Sequence, residues 1–211
     1  ERACRLNGSG GGGSITALPI VETQQGNISA YIPTNLISIT DGQIRLDTAL
    51  FNQGIKPAVD AGRSVSRVGG EAQVPAIKAL ASDLRLELTQ YEEVERFSRF
   101  GTEVDEARRQ QIRRGERWRR VLTQPPHEPR SAGAQILILW AASEGYLDDV
   151  RLDDILAFER GFVQYVREEY PTLTPPLDRG AESIEGIDES LTEAVEAFRR
   201  RWFEREGSEP L

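Results

Sequence analysis

The 211-residue chain is 38% hydrophobic, enough to bury a proper core as one large domain or two small ones. A net charge of -8 and a pI near 4.9 argue against a nucleic-acid-binding protein, and a lone cysteine, Cys4, excludes an intrachain disulfide. The longest apolar run, Ile136 to Ala142, is far shorter than the roughly 18 residues of a membrane span, so any service at a membrane is that of a peripheral part.

Methionine is absent, and Glu1 to Leu6 reads as the end of a helix, which suggests a fragment of a longer protein. Gly8 to Ser14 is glycine and serine only and would pass for a flexible linker. No Gly-Lys-Ser/Thr follows to make it a phosphate loop. Ile15 to Glu22 is a run of β-formers closed by turn residues, the punctuation of a buried parallel strand. Asn27 to Thr40 carries Tyr31-Ile32-Pro33 and predicts a brief helical turn and an irregular loop. Asp41-Gly42 makes a turn before Gln43 to Leu46, and Val59 to Val68 is a further stretch that can extend, stopped by Gly69-Gly70.

Helical spacing begins after Gly70. Pro75 suits a first turn, and Ile77, Leu80, Leu84, Leu88, Tyr91, Val94 and Phe97 recur as one face of a long amphipathic helix. Gly101 stops it, Thr102 can cap the next, and Glu103, Asp105 and Glu106 at the front with Arg117, Arg119 and Arg120 at the end suit a helix dipole running to about Leu122. Gln124-Pro125-Pro126 then breaks the helical pattern. Ala134 to Tyr146 is apolar on nearly every face and should be the buried centre of a bundle. Leu152, Ile155, Leu156, Phe162, Val163 and Val166 mark a further helix ended by Tyr170-Pro171, and Leu191, Ala194, Val195, Phe198 and Phe203 mark the last.

Few side chains offer chemistry. The single histidine, His127, lies in a proline-rich loop, and Cys4 lies near the start, so neither has the partners of a catalytic triad. Asp148, Asp149, Asp153 and Asp154 lack the spacing of a calcium loop and read as a solvated helix start. Trp118 between Arg117 and Arg119 lies among interleaved glutamates and reads as a solvated helix face rather than a nucleic-acid surface. Arg67, in S-V-S-R-V-G-G at Ser64 to Gly70, is different: a guanidinium at the end of a stiff β-favouring run, with glycines behind it, suits charge stabilisation on a phosphoryl group. A plain ion-pair arginine is the competing reading. Ser38 sits at the end of another β-favouring stretch, and in an open parallel sheet strand ends are where ligands bind.

G-G-G-S-I-T-A-L-P-I at Gly11 to Ile20, A-Y-I-P-T-N-L-I-S-I-T-D-G-Q-I at Ala30 to Ile44, F-N-Q-G-I-K-P-A-V at Phe51 to Val59 and S-V-S-R-V-G-G together resemble the alpha subunits of F-type ATP synthases. The likeness continues through L-R-L-E-L-T-Q-Y at Leu84 to Tyr91 and F-S-R-F-G at Phe97 to Gly101. The wording of S-I-T-D-G-Q and S-V-S-R-V-G-G favours alpha over the catalytic beta subunit.

The resemblance implies an α/β part, the end of a RecA-like P-loop NTPase sheet over residues 1–72, followed by an all-α C-terminal helical bundle over 73–211. It implies that Arg67 is an arginine finger reaching in trans to the γ-phosphate in a beta subunit's catalytic site, with Ser38 beside the same phosphate. A finger of this kind is worth roughly 10³ to 10⁵ in rate in well-studied GTPases. Lys56, Pro57 and Gln124 fall where the family holds the adenine of a noncatalytic nucleotide. The sequence departs there, with lysine in place of a base-stacking arginine and Pro126 in place of a second glutamine, which counts against a bound adenine. The implied cofactors are ATP or ADP with magnesium in the complete complex, with none bound tightly by this fragment. The implied partners are the beta subunits and the central stalk gamma subunit, at the cytoplasmic face of the inner or plasma membrane, without nucleic acid. The alternative is a helical docking module that makes no catalytic contribution.

Overall fold

In the computed structural model, residues 3–98, 105–179 and 186–206 are described. The protein divides into two compact units, Glu1–Asp41 and Gly42–Leu211.

In the first unit the glycine-rich stretch closes on itself. Arg5 and Ser14 form an antiparallel bridge, the Leu6 N–H donates to the Gly13 carbonyl at 2.8 Å, and Ile15 N–H donates to that of Cys4 at 2.9 Å. Asn7 caps the enclosed turn, its Oδ1 accepting from Gly10 N at 3.0 Å and Ser9 Oγ at 2.7 Å. Gly11 and Gly12 take φ of 89° and 69°, which side chains resist. Composition alone suggested a linker, whereas the asparagine cap and the positive φ angles make a tight loop.

The expected helix end before it is instead bridged backbone at Cys4 to Leu6. The expected strand over Ile15 to Glu22 does not form either. Beyond the Ile15 N–H bond to Cys4 no ladder continues among the described residues, and Leu18 and Ile20 are 79% and 98% exposed. β-propensity supplies side chains for a pleated surface, but a strand needs a partner's hydrogen bonds. Conversely, α1 (Tyr31–Ile39) is a true helix where a single turn and a loop were expected. Pro33 stands within its first turn, where a missing N–H costs little.

The second unit opens with β1 (Gly42–Gln43), then α2 (Thr48–Asn52), then β2 (Val65–Ser66). The strands pair antiparallel, Gly42 opposite Ser66 and Gln43 opposite Val65, and Leu46 bridges Val59. Asp47 caps α2, accepting from Ala49 N at 2.7 Å and Leu50 N at 3.3 Å. Both stretches, Gln43 to Leu46 and Val59 to Val68, thus contribute to a short antiparallel ladder.

The helical part comprises α3 (Pro75–Ser98), α4 (Glu106–Val121), α5 (Ala132–Ser143), α6 (Ile155–Glu169), α7 (Thr174–Asp178) and α8 (Asp188–Glu206). Asp105 caps α4, its carboxylate accepting from Arg108 N at 2.9 Å. The expected stop at Gly101 and cap at Thr102 lie outside the described residues. Helix α5 is the centre, as its all-round apolar pattern requires: Ile136, Leu137, Ile138 and Ala141 are fully enclosed. It packs against α3, α4, α6 and α7, while α6 packs against α8. The α6–α8 seam is aromatic, with Phe158 edge-on to Phe198 at 5.0 Å and to Trp202 at 5.4 Å. Helices α3 and α4 approach closely because Gly115 has no side chain: a Cβ there would lie 2.1 Å from Tyr91 Cγ. Among the described residues no helix is long and apolar enough to cross a membrane.

Candidate functional site

Arg67 follows β2 directly and is exposed. Its strand lies close against β1 because position 42 is glycine; a Cβ there would meet the Val65 carbonyl oxygen at 2.4 Å. Behind Arg67 the backbone turns at Gly69, with φ of 62° and its N–H donated to Ser66 Oγ at 3.1 Å. Gly70 then lies under the stem of Lys78, which pairs with Glu71 at 3.4 Å. Ahead of it, Ser64 N and Oγ donate to the Asp60 carbonyl at 3.0 and 2.6 Å, and the same hydroxyl accepts from Arg45 N at 3.0 Å. Arg85 of α3 donates to the Ser64 carbonyl at 3.4 Å. Arg67 is therefore carried on a short peg whose two ends are tied by hydrogen bonds of backbone and side-chain groups.

Ser38 lies in the other unit, in the last turn of α1, with its hydroxyl donating to the Asn35 carbonyl at 2.7 Å. The β-favouring stretch on which the sequence placed it is helical. The local count of Ile and Thr was outweighed by i to i−4 hydrogen bonding, such as the Thr34 N–H to the Ala30 carbonyl at 3.0 Å.

Lys56 and Gln124, 68 positions apart in sequence, are brought together: Gln124 N–H donates to the Lys56 carbonyl at 2.8 Å. Both line a cleft of about 150 Å³, together with Gly54, Arg120, Pro125, Pro126 and Leu156. Pro57, joined to Lys56 by a cis bond, is not among its lining residues. The Lys56 ammonium lies 4.8 Å over the Phe51 ring, and the Gln124 side chain donates to the Glu128 carbonyl at 2.6 Å.

The basic face of α4 is not solvated where the sequence suggested it. Arg117 is 8% exposed and Trp118 2% exposed. Arg117 Nε donates to the Leu147 carbonyl at 2.9 Å, and its terminal nitrogens reach the carbonyls of Asp148, Val150 and, at 3.1 Å, Arg113. Trp118 Nε1 donates to Glu87, which also accepts from Arg114 Nε at 3.0 Å. The signal was the spacing Arg114, Arg117-Trp118, Val121, which falls on one helical face.

A second charged group missed from sequence is Glu159, 5% exposed beside Phe158 and paired with Arg130 at 2.8 Å. Burial pushes its carboxyl up to about 7 against the pull of Arg130 and Arg160. Arg130 also donates to the Val121 and Thr123 carbonyls at 3.2 and 3.5 Å, so the pair ties α6 to the end of α4. In the acidic stretch, Asp149 pairs with Arg199 at 2.5 Å, and no cluster suited to a metal ion occurs among the described residues.

Two family matches cover most of the protein. Residues 1–66 match the nucleotide-binding domain of the ATP synthase alpha/beta family, and residues 73–198 match the C-terminal domain of the ATP synthase alpha/beta chains. ATP synthase subunit alpha of Petrotoga mobilis is 48% identical over 94% of this chain and 39% of its own length. That of Aquifex aeolicus is 46% identical over 96% of this chain and 40% of its own. The chain thus spans about two fifths of the length of these relatives. Its architecture is the closing part of an α/β nucleotide-binding domain followed by an all-α bundle, and the chain belongs to the ATP synthase alpha/beta family, on the side of the alpha subunits.

Proposed function

We propose that this chain is the part of a rotary F-type ATP synthase alpha subunit that supplies Arg67 in trans to the ATP site of a neighbouring beta subunit. The observation that carries the reading is Arg67 itself: exposed, just past β2, in S-V-S-R-V-G-G, on a segment tied on either side by hydrogen bonds between side chains and backbone. A guanidinium held in this way meets developing charge on a phosphoryl group without reorganising, the condition under which such donors contribute most. ATP or ADP with magnesium is bound by the complex, and synthesis or hydrolysis is coupled there to ion transport. The beta subunits and the central stalk are its neighbours, and it is held peripherally at the cytoplasmic face of the membrane.

Ser38 is assigned to the neighbourhood of the same phosphate. The division between the two functional parts is placed at 72/73, next to the start of the C-terminal-domain match at residue 73. Lys56, Pro57 and Gln124 are the candidates for a noncatalytic adenine. The small cleft that Lys56 and Gln124 share supports the placement, while the Lys56 ammonium over Phe51 argues for weak binding.

The test compares Arg67→Ala with the unsubstituted subunit in a pull-down of beta subunits and in an ATPase assay of the assembled complex. Retained association with strongly reduced turnover supports the finger. Lost association with normal turnover per assembled complex returns the docking-module reading.

A further inference from the structure

Asp60 is the hub of the segment that carries Arg67. Its side chain is only 13% exposed, and its Oδ2 lies 3.9 Å from Arg45 and 3.7 Å from Arg63, while Oδ1 accepts from Arg63 N at 3.0 Å. Its N–H donates to the Arg45 carbonyl at 2.9 Å, and its carbonyl takes both Ser64 donors. Ser64 Oγ in turn accepts from Arg45 N, so the turn 60–64 is stitched to the stretch after β1 by backbone and side chain alike. Arg45 is itself largely enclosed between carboxylates, with Asp47 at 3.8 Å. Three residues past Ser64 stands Arg67.

The exposed pairs on this protein's surface tie one side chain to another in water, where they contribute little. The Asp60 carboxylate differs: it holds a backbone N–H and a sheltered arginine whose own N–H holds the Ser64 hydroxyl, one residue before β2. We infer that Asp60 is a positioning residue for Arg67, setting the height and angle of the strand end from which the guanidinium reaches out. This rests on the assignment of Arg67 as the finger. A misplacement of about 1 Å at a catalytic group costs on the order of 100-fold in rate, so a modest shift of the 60–64 turn has a readable effect.

The experiment measures steady-state ATP hydrolysis by the assembled complex carrying Asp60→Ala, Arg67→Ala, or both. Asp60→Asn, which keeps the Oδ1 acceptor for Arg63 N, stands in if the alanine variant does not assemble. The expected result is a fall in kcat of roughly ten- to 100-fold for Asp60→Ala with KM little changed. In the Arg67→Ala background the same substitution should cost nothing further, since a residue acting through Arg67 has nothing left to position. A normal kcat for both Asp60 variants beside a crippled Arg67→Ala overturns this inference alone. So does a fall that adds in full to that of Arg67→Ala. A normal rate for Arg67→Ala overturns the finger assignment and this inference with it.

Discussion

Glu159 holds its proton because it sits among Phe158, Phe162 and the end of α4, where a charge loses its hydration and gains only Arg130 and Arg160 in return. Its folded-state pKa, about 7, lies above the ordinary 4.5, so between these values the native state keeps a proton that the unfolded state has lost. This group's contribution is fully present below about pH 4.5 and is lost as the pH rises through about 7, a change on the order of 3 kcal/mol. Urea unfolding of the protein and of Glu159→Gln should give similar stabilities at acid pH and a gap favouring the glutamine variant in mild alkali. Parallel pH profiles for the two would contradict the assignment. Arg117 is the opposite case: a buried cation that satisfies carbonyls of the 147–150 turn as well as Arg113. Arg117→Leu leaves those carbonyls unsatisfied at about 1–3 kcal/mol each for the worst placed, and Arg117→Lys, with no planar fork, should recover only part of the loss in a denaturant titration.

Among the elements, α5 was legible from its composition alone, since an all-round apolar helix has nowhere to go but the centre. The C-terminal limits of α4 and α6 were legible too, because the closing arginines and the Tyr170-Pro171 break act locally, whereas α4 is capped by Asp105 rather than by the expected Thr102. The fate of Ile15 to Glu22 was not, because a strand's existence depends on a partner strand that local residues do not encode. Nor was the burial of Arg117 and Glu159, since residue type outweighed position on the helical wheel. At the candidate site, Arg67 stood out by its motif, whereas Asp60 lay unremarked in the Val59 to Val68 stretch and its connections emerged only through Arg45 and Ser64. The α3–α4 seam offers a direct check on packing. Gly115→Ala drives a methyl into the Tyr91 ring and should cost about 1–3 kcal/mol in thermal unfolding, with Tyr91→Ala restoring space in the double variant. An unchanged melting temperature would mean that the two helices stand farther apart.

For the whole molecule, the buried core is helical and does not include Arg67, whose proposed chemistry lies on a neighbouring subunit. The core runs from α3 to α8, so its disruption should act on folding and not selectively on chemistry. Phe158→Ala is expected to cost about 3–5 kcal/mol and to lower the yield of assembled complex, while complexes that do form turn over at the normal rate. The isolated protein should show no robust ATP hydrolysis, because Arg67 stabilises charge on a nucleotide that the proposed function places on a neighbouring subunit. The central claim is tested most directly by the hydrolysis rate of the assembled complex with Arg67→Ala. The predicted result is a fall of at least about 100-fold with assembly intact, the scale expected for losing a preorganised donor. A rate within a factor of two or so of the unsubstituted complex would contradict it.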